Sequence, residues 1–408
     1  MTETERKAAS NEQPYGWIIV FVGLASLALG FGANVTVSVL IEPLEKEFGW
    51  LRADISMAYT MAAAGAATGG LLWGSLSDRF GAKRIALFGA TTLGVSLMLV
   101  SHQSDLTAIY TIYAAIGGLG FACLFTPLLA LGSNWFDRRR GLALGLITAG
   151  GALGQGIVPF VLRTLMEHMD WREAMFLLGG GYLLILLPLL MLLRPAPGTA
   201  AQAVPMARPA QQWHIPARIS LPWLASAGVF CCICMAVPIM HLVPLGNAVS
   251  TTPGGGTQLL MTVMICGVAG RIMFGTIADR IGGLRAYMIG SLVQTSIVFW
   301  FTQTELMPAL FTLAVLFGFG FSGVMTCLII ATREAAPPKS AGLSVAIVTA
   351  AGWAGMGIGG YLGGYFYDLT GDYVTSYGVA VLAGVVNLAI ASSLYTYRQR
   401  GFATAALA

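Results

Sequence analysis

Apolar residues form long runs along the chain, and short polar or charged segments separate these runs. Twelve runs are long enough to cross a bilayer, because a membrane-spanning helix needs about 20 apolar residues. The pattern therefore predicts an all-α polytopic membrane protein. We place its twelve spans at 17–41, 54–76, 84–101, 106–132, 141–163, 173–194, 218–245, 257–277, 286–303, 307–331, 341–365 and 374–396.

Composition supports a membrane protein and excludes several other classes. Charged residues make up 10 % of the chain, against about 25 % in soluble domains, and the mean hydropathy is +0.76. The 52 glycines suit helices that approach closely in lipid. The sequence contains no phosphate-binding loop, zinc-ligand spacing or catalytic Ser or Cys motif, and its basic runs are short. We therefore expect no enzyme activity, metal, cofactor or nucleic-acid partner.

The distribution of positive charge predicts the orientation. Twelve spans place both termini on one side of the membrane, and 17 of the 22 Lys and Arg fall on that side. The other side carries four, at Lys46, Arg52, Arg163 and Arg172. Because positive loops stay in the cytoplasm, we expect a plasma (inner) membrane protein with both termini cytoplasmic.

One long connection divides the chain into two halves. Residues 195–217 are rich in Pro, Ala and Gln, a composition typical of a flexible linker. We predict a cytoplasmic linker there, between a six-helix bundle at 17–194 and a second at 218–397. Cytoplasmic tails are expected at 1–16 and 398–408.

The two halves repeat each other at a constant offset of 201 residues. Gly-Ser-Leu-Ser-Asp-Arg-Phe-Gly at 74–81 returns as Gly-Thr-Ile-Ala-Asp-Arg-Ile-Gly at 275–282. The same offset aligns three glycines of span five with three of span eleven, namely Gly151, Gly154 and Gly156 with Gly352, Gly355 and Gly357. Such internal duplication is typical of transporters that move two bundles about a site near the membrane midplane.

Arg271 is the one charged residue placed deep inside a predicted span. A charge at that depth costs about 2.5–3.5 kcal/mol on insertion scales and is expected to face protein or water. No Asp or Glu lies at similar depth, so the natural partner is an anion that binds and leaves. The repeat pairs Arg271 with Gly70, an asymmetry that favours function over scaffold. Backbone carbonyls or waters that satisfy the arginine are the structural alternative.

The single deep cation also predicts the charge of the substrate. A guanidinium group binds a carboxylate through two parallel hydrogen bonds, and one guanidinium balances one carboxylate. We therefore expect a monoanion such as lactate or pyruvate in preference to oxalate.

Polar residues in other spans are weaker candidates. His241 lies near the outer end of span seven, after a break expected at Pro238, and an imidazole can pass a proton near neutral pH. Asn34, Ser38 and Gln155 are candidates for substrate binding. For all four, hydrogen bonds to carbonyls or neighbouring helices remain the alternative.

Two motifs carry a family resemblance. Gly-x-Leu-x-Asp-Arg-x-Gly-x-Lys-Arg at 74–84 resembles the signature between spans two and three of the major facilitator superfamily, and 275–285 is a looser copy. The resemblance implies two six-helix bundles (6+6) around a central cavity, with alternating access. It also implies a cytoplasmic gate at Asp78, Arg79, Asp279 and Arg280.

A narrower resemblance points to the monocarboxylate transporters. Residues 135–145 resemble their signature before span five, and 271–275 are similar to their arginine-containing run in span eight. The resemblance implies that Arg271 binds the substrate carboxylate. Animal members have a lysine where this chain has Asn34 and an aspartate where it has Gly267. Both residues are implicated there in proton coupling. Oxalate:formate antiporters are also similar in this region.

These features together predict a secondary active transporter of a small monocarboxylate, lactate- or pyruvate-like, moved with a proton by alternating access. The proton is expected to travel with the acid bound at Arg271 and to pass through His241. We expect the lipid bilayer as surroundings and no obligate protein partner. The alternatives are a carboxylate exchanger of the oxalate:formate kind and a non-transporting membrane sensor.

Overall fold

The computed structural model describes residues 14–136, 139–196, 213, 215–251, 254–337 and 340–406. All regular secondary structure in this part of the chain is helical. Ten helices are named here by their bounds: α1 Tyr15–Phe48, α2 Arg52–Phe80, α3 Ala82–Val100, α5 Arg140–Met166, α6 Trp171–Met191, α7 Ala217–Val249, α8 Gly255–Ile281, α10 Met307–Ala335, α11 Ala341–Thr370 and α12 Val374–Ala406. Helix α4 comprises Leu106–Ala115, a π-helical turn Ile116–Phe121 and Ala122–Asn134, and α9 comprises Gly283–Val298 and a 3-10 turn Phe299–Thr302.

The twelve-span prediction is confirmed. Within the described residues, eleven helices are long and apolar enough to cross a membrane. The twelfth, α9, has 16 α-helical residues followed by four 3-10 residues. At about 1.5 Å and about 2.0 Å of rise per residue, these extend roughly 32 Å, which spans the hydrocarbon core. Six helices from each half form two bundles, whose bounds at 17–194 and 218–397 stay a prediction.

Two helix interruptions differ from expectation. Helix α7 continues through Pro238, so the predicted break there is wrong; neighbouring helices and local adjustment can compensate for the missing proline N–H in a membrane bundle. Helix α1 is instead divided at Thr36 into the segments Tyr15–Val35 and Val37–Phe48. The Thr36 hydroxyl donates to the Ala33 carbonyl oxygen at 2.8 Å and lies 2.8 Å from the Tyr113 hydroxyl.

The repeated motif ends on two glycines with the same unusual backbone. Gly81 has φ 83° and ψ 139°, and Gly282 has φ 88° and ψ 154°. Each glycine separates two helices at a sharp turn, in a region of φ that favours residues without a Cβ. The same turn therefore recurs at the 201-residue offset.

The offset also relates the contacts between the two bundles. A Cβ added at Gly156 would lie 3.1 Å from the Met261 Cα and 3.0 Å from the Met264 Cβ. A Cβ added at Gly357 would lie 3.2 Å from the Thr60 Cα and 3.4 Å from the Ala63 Cβ. The residue numbers of the two glycines differ by 201, as do those of Thr60 and Met261 and those of Ala63 and Met264. Helix α5 therefore packs on α8 in the way that α11 packs on α2.

Several described contacts between the bundles lie toward one end of the molecule. We call the end that contains the start of α1 and the end of α12 the termini face, and the opposite end the distal face. In the distal half of α11, a Cβ at Gly364 would lie 2.6 Å from the Arg52 carbonyl oxygen. Toward the termini face, three glycines of α5, α8 and α11 have no facing atom within 4 Å among the described residues: Gly145, Gly275 and Gly342. The bundles therefore contact each other at the distal face, and the described residues leave open space beside these three glycines.

The end of the predicted linker is anchored to the second bundle. Trp213 is buried, and its backbone N–H donates to the Glu334 carbonyl oxygen at 3.1 Å. Its indole N–H donates to the Glu334 carboxylate at 3.2 Å, and the Gly283 N–H donates to the same carboxylate at 2.9 Å. The rest of the predicted linker at residues 197–212 and 214 lies outside the described residues.

Candidate functional site

Arg271 lies in the middle of the membrane region, between the two bundles. It is 16 residues after the start of α8 and ten before its end, or about 24 and 15 Å along the helix axis. Its Nε donates to the Ser322 hydroxyl on α10 at 3.0 Å. Its Nη1 donates to the Thr148 carbonyl oxygen on α5 at 2.7 Å. The arginine thus connects the second bundle to the first.

Both protein partners of Arg271 are neutral. A guanidinium has five N–H donors, and the described contacts occupy one on Nε and one on Nη1. Two ion pairs of the described residues, Arg52 with Glu45 and Arg172 with Glu47, lie at the distal face. Neither described partner of Arg271 is acidic, so the guanidinium retains donors for an anion.

Gly267 makes room for the serine that holds the arginine. Gly267 lies four residues before Arg271, and an added Cβ would be 3.0 Å from the Ser322 Cβ and 3.1 Å from its hydroxyl oxygen. Ser322 is 3 % exposed. A side chain at 267 would therefore enter the space that Ser322 occupies, beside the guanidinium. Ser322, which is neutral, thus occupies the space next to Arg271 that an acidic side chain at position 267 would enter.

A cluster of aromatic rings lies near this arginine. The ring centroid of Phe31 in α1 lies 4.6 Å from that of Phe121 and 5.8 Å from that of Phe125, both in α4. Trp353 of α11 is stacked on Phe31 at 6.0 Å with an interplanar angle of 26°, and it meets Phe121 edge-on at 5.4 Å. We call these four residues the aromatic wall. Because Trp353 belongs to the second bundle, the wall crosses the space between the bundles.

The weaker substrate candidates are buried side chains bonded within their own helices. The Asn34 amide donates to the Gly30 carbonyl oxygen at 3.2 Å, and its Oδ1 is buried without a hydrogen-bond partner. The Ser38 hydroxyl donates to the Val35 carbonyl oxygen at 2.7 Å, and the Gln155 amide donates to the Gly151 carbonyl oxygen at 3.2 Å. Gln155 lies two turns along α5 from Thr148. Of the three, Asn34 retains an unused acceptor.

His241 lies apart from Arg271, in the distal third of α7. It is fully buried, and its Nε2 is 2.8 Å from the Gly360 carbonyl oxygen, which requires the proton on that nitrogen. Its Nδ1 is 3.4 Å from the Tyr373 hydroxyl. Along their helix axes, His241 is eight residues and Arg271 sixteen residues from the distal helix ends. This difference corresponds to about 12 Å in depth.

The four predicted gate residues lie at the termini face. Arg79, Asp279 and Arg280 are exposed at the ends of α2 and α8. Asp78 lies in α2, and its side chain is outside the part of the chain that the structure describes. Their positions at the termini face agree with the resemblance, and their role in a gate stays a prediction.

Sequence reasoning missed Ser322 and the aromatic wall. Phe121 and Ser322 occupy equivalent positions of the repeat, 201 residues apart. The difference at this pair, like that between Gly70 and Arg271, is visible in the sequence once the offset is applied to every position. The stacking of Phe31 on Trp353 joins positions of different repeats, and the sequence contains no signal for it.

Sequence comparisons agree with this architecture. The model of the Major Facilitator Superfamily matches residues 22–301 and 223–405. Monocarboxylate transporter 13 of Bos taurus is 27 % identical over 411 residues, which cover 96 % of this chain and 91 % of that protein. Monocarboxylate transporter 11 of Homo sapiens is 27 % identical over 68 % of this chain and 59 % of its own length. An uncharacterized MFS-type transporter, YcxA of Bacillus subtilis, is 24 % identical over 76 % of this chain and 78 % of its length.

Solved structures show the same fold. A bacterial homolog of the human lysosomal transporter Spinster, in an inward-facing and occupied conformation, superposes with a TM-score of 0.71. The match covers 96 % of this chain and 98 % of that structure at 14 % identity. The two-bundle arrangement is therefore shared at the level of the fold.

Proposed function

Since the chain belongs to the Major Facilitator Superfamily, and is thus a multi-pass membrane transporter, we propose that it moves a small monocarboxylate together with a proton. Arg271 is the observation that carries this proposal: a midplane cation whose described partners, Ser322 and the Thr148 carbonyl oxygen, are neutral and belong to different bundles. A single guanidinium with free donors suits one carboxylate. Lactate and pyruvate are the simplest candidates. The similarity to proteins named monocarboxylate transporters supports the same substrate class.

Contact between the bundles at the distal face, with open space beside glycines toward the termini face, supports alternating access. We propose that the termini face is cytoplasmic in the plasma (inner) membrane, so that the cavity opens inward in this structure. Opening at the distal face would then require the contacts between α2 and α11 to separate. Asp78, Arg79, Asp279 and Arg280 would approach one another as the termini face closes.

A proton balances the charge of the bound anion. Movement of a neutral pair lets the cavity reorient without carrying net charge through a low-dielectric region. Gly267 and Asn34 stand where animal members of the family have an aspartate and a lysine. We therefore propose that the proton travels with the carboxylic acid at Arg271, with His241 as the relay on the distal side. The unpaired Asn34 Oδ1 supports a role as acceptor for a hydroxyl or acid proton.

Uptake into proteoliposomes tests the coupling. We expect a proton gradient directed into the vesicles, with the outside more acidic, to accelerate uptake of labelled lactate or pyruvate at least fivefold. His241→Gln is expected to reduce this acceleration. His102→Gln, at an exposed histidine of the distal face, is the matched control. Equal uptake with and without the gradient would remove the proton from the mechanism.

Exchange is the alternative supported by the resemblance to oxalate:formate antiporters. Vesicles preloaded with an unlabelled carboxylate distinguish the two mechanisms, because an exchanger requires the internal anion and a symporter does not. We expect gradient-driven uptake in empty vesicles.

A further inference from the structure

The internal repeat shows that the central site has two unlike sides. Arg271 and Ser322, which bond to each other, are equivalent to Gly70 and Phe121 of the first half at the 201-residue offset. An added Cβ at Gly70 would meet no described atom within 4 Å. The cation and its serine in one repeat therefore correspond to open space and an aromatic ring in the other.

The aromatic wall is asymmetric in the same sense. The repeat partners of Phe31, Phe121, Phe125 and Trp353 are Cys232, Ser322, Thr326 and Ala152. No aromatic residue therefore occupies an equivalent position in the other repeat. Phe31, Phe125 and Trp353 are half-buried, whereas Phe121 is 1 % exposed. Three rings of the wall thus keep accessible surface, with Phe121 packed behind them.

Helix α5 places the wall beside the arginine. Arg271 donates to the carbonyl oxygen of Thr148, and a Cβ added at Gly151 would lie 2.7 Å from the Phe31 ring. Residues 148 and 151 are neighbours on one helix face, about 5–6 Å apart. The guanidinium and the Phe31 ring therefore contact the same turn of α5, and Trp353 extends the apolar surface from there to the second bundle.

We infer that the site selects monocarboxylates with an apolar body, above all an aromatic one, over lactate, pyruvate and dicarboxylates. The carboxylate binds the free donors of Arg271, and the apolar body packs on the aromatic wall against Phe31 and Trp353. Burial of each CH₂ group stabilises the complex, and a stacked ring adds contact energy beyond its buried area. A second carboxylate at the wall would be buried without a partner, which is costly. This inference rests on the proposed carboxylate transport and refines its substrate class.

Four probes of matched chemistry test the inference with the purified full chain. Acetate, hexanoate, adipate and phenylacetate are titrated by isothermal calorimetry at pH 7.5, where all are ionised. We expect hexanoate and phenylacetate to bind at least tenfold more tightly than acetate. Adipate has the six-carbon chain of hexanoate and one further carboxylate, and we expect it to bind at least tenfold more weakly than hexanoate.

Substitution of the wall separates stacking from general effects. Trp353→Leu is expected to weaken phenylacetate binding about three- to tenfold and to leave acetate binding unchanged, whereas Trp353→Phe retains phenylacetate binding. Trp300→Leu, at an exposed tryptophan of α9, is the control and should change neither. The melting temperature without ligand identifies any variant that fails to fold.

The outcomes separate this inference from the proposed function. If acetate binds and hexanoate and phenylacetate bind no more tightly, or if adipate equals hexanoate, the apolar body has no subsite and only the inference is wrong. If none of the four probes binds the wild-type chain, the proposed carboxylate transport is wrong as well.

Discussion

Two arginines connect the bundles, and their surroundings are opposite in character. Arg52 begins α2 at the distal face, and Arg271 lies in the middle of α8. The offset makes the pair of helices α2 and α11 equivalent to the pair α8 and α5. The two arginines therefore belong to equivalent interfaces of the same repeat, and they differ in depth and in partners.

Arg52 is surrounded by acceptors and aromatic rings. Its side chain pairs with Glu45 at 3.0 Å, donates to the Tyr373 hydroxyl at 2.7 Å and lies 3.9 Å from the centroid of the Tyr367 ring. The Asp368 carboxylate accepts its backbone N–H at 3.1 Å and that of Ala53 at 2.7 Å. The Arg52 guanidinium and the Asp368 carboxylate therefore both have partners within the protein.

The difference distinguishes a structural contact from the proposed binding site. At the distal face the second bundle supplies a carboxylate and two tyrosines, so the contact is complete without a ligand. At the midplane the described partner from the first bundle is the carbonyl oxygen of Thr148. The cation there is left with donors and an unbalanced charge, and an anion that enters the cavity would complete it.

Removal of the midplane charge is expected to have the largest effect. Arg271→Gln keeps a polar side chain and loses the charged hydrogen bonds to the carboxylate, which contribute about 2–5 kcal/mol. Binding of the tightest carboxylate should weaken at least about thirtyfold, as measured by calorimetry, with no loss of thermal stability because a desolvated charge is removed.

The matched control for that change is Arg218→Gln, an exposed arginine at the start of α7 in the same bundle. It should leave binding within about twofold of the wild type. Equal affinity in the Arg271→Gln variant would show that the carboxylate binds elsewhere, and the comparison with Arg52 would lose its meaning.

The extent of sequence-based prediction follows the same division between the two arginines. The spans, the repeat and Arg271 were accessible because each depends on hydrophobicity, spacing or a single misplaced charge. The partners of Arg52 were not, since Asp368 and Tyr373 lie more than 300 positions away along the chain and their contact depends on how the bundles meet. The predicted break at Pro238 was wrong for a related reason. Packing against neighbouring helices decides whether a proline interrupts a membrane helix, and the sequence pattern does not contain that packing.

Weakening the distal contact should change the balance between conformations. Asp368→Asn removes the charge that accepts two backbone N–H groups, and hydrogen bonds to charged groups contribute about 1.5–3 kcal/mol each. We expect at least a tenfold shift toward a conformation in which the distal ends of the bundles are apart. Double electron–electron resonance spectroscopy between spin labels at the exposed distal positions His168 and Glu305 measures this separation.

Asp372→Asn is the control for the distal contact. Its carboxylate also caps a backbone N–H at the distal face, that of Val374, but entirely within the second bundle. The distance distribution should therefore stay that of the wild type. Identical distributions in the Asp368→Asn and Asp372→Asn variants would show that Asp368 does not hold the distal face closed.

A carboxylate placed beside Arg271 should make the midplane resemble the distal contact. Gly267→Asp puts an acidic side chain four residues before the arginine, on the same helix face, where its Cβ lies against Ser322. The resident charge then competes with the substrate, and binding should weaken about tenfold at pH 7.5. Because the guanidinium favours the ionised form of the added carboxyl, the competition should persist when the pH falls to 5.5. Gly267→Asn crowds Ser322 equally without a charge, so it should bind the carboxylate more tightly than Gly267→Asp at both pH values. If both variants bind alike at every pH, the side chain at 267 does not reach the guanidinium, and the absence of an acid there does not explain why Arg271 is free for a ligand.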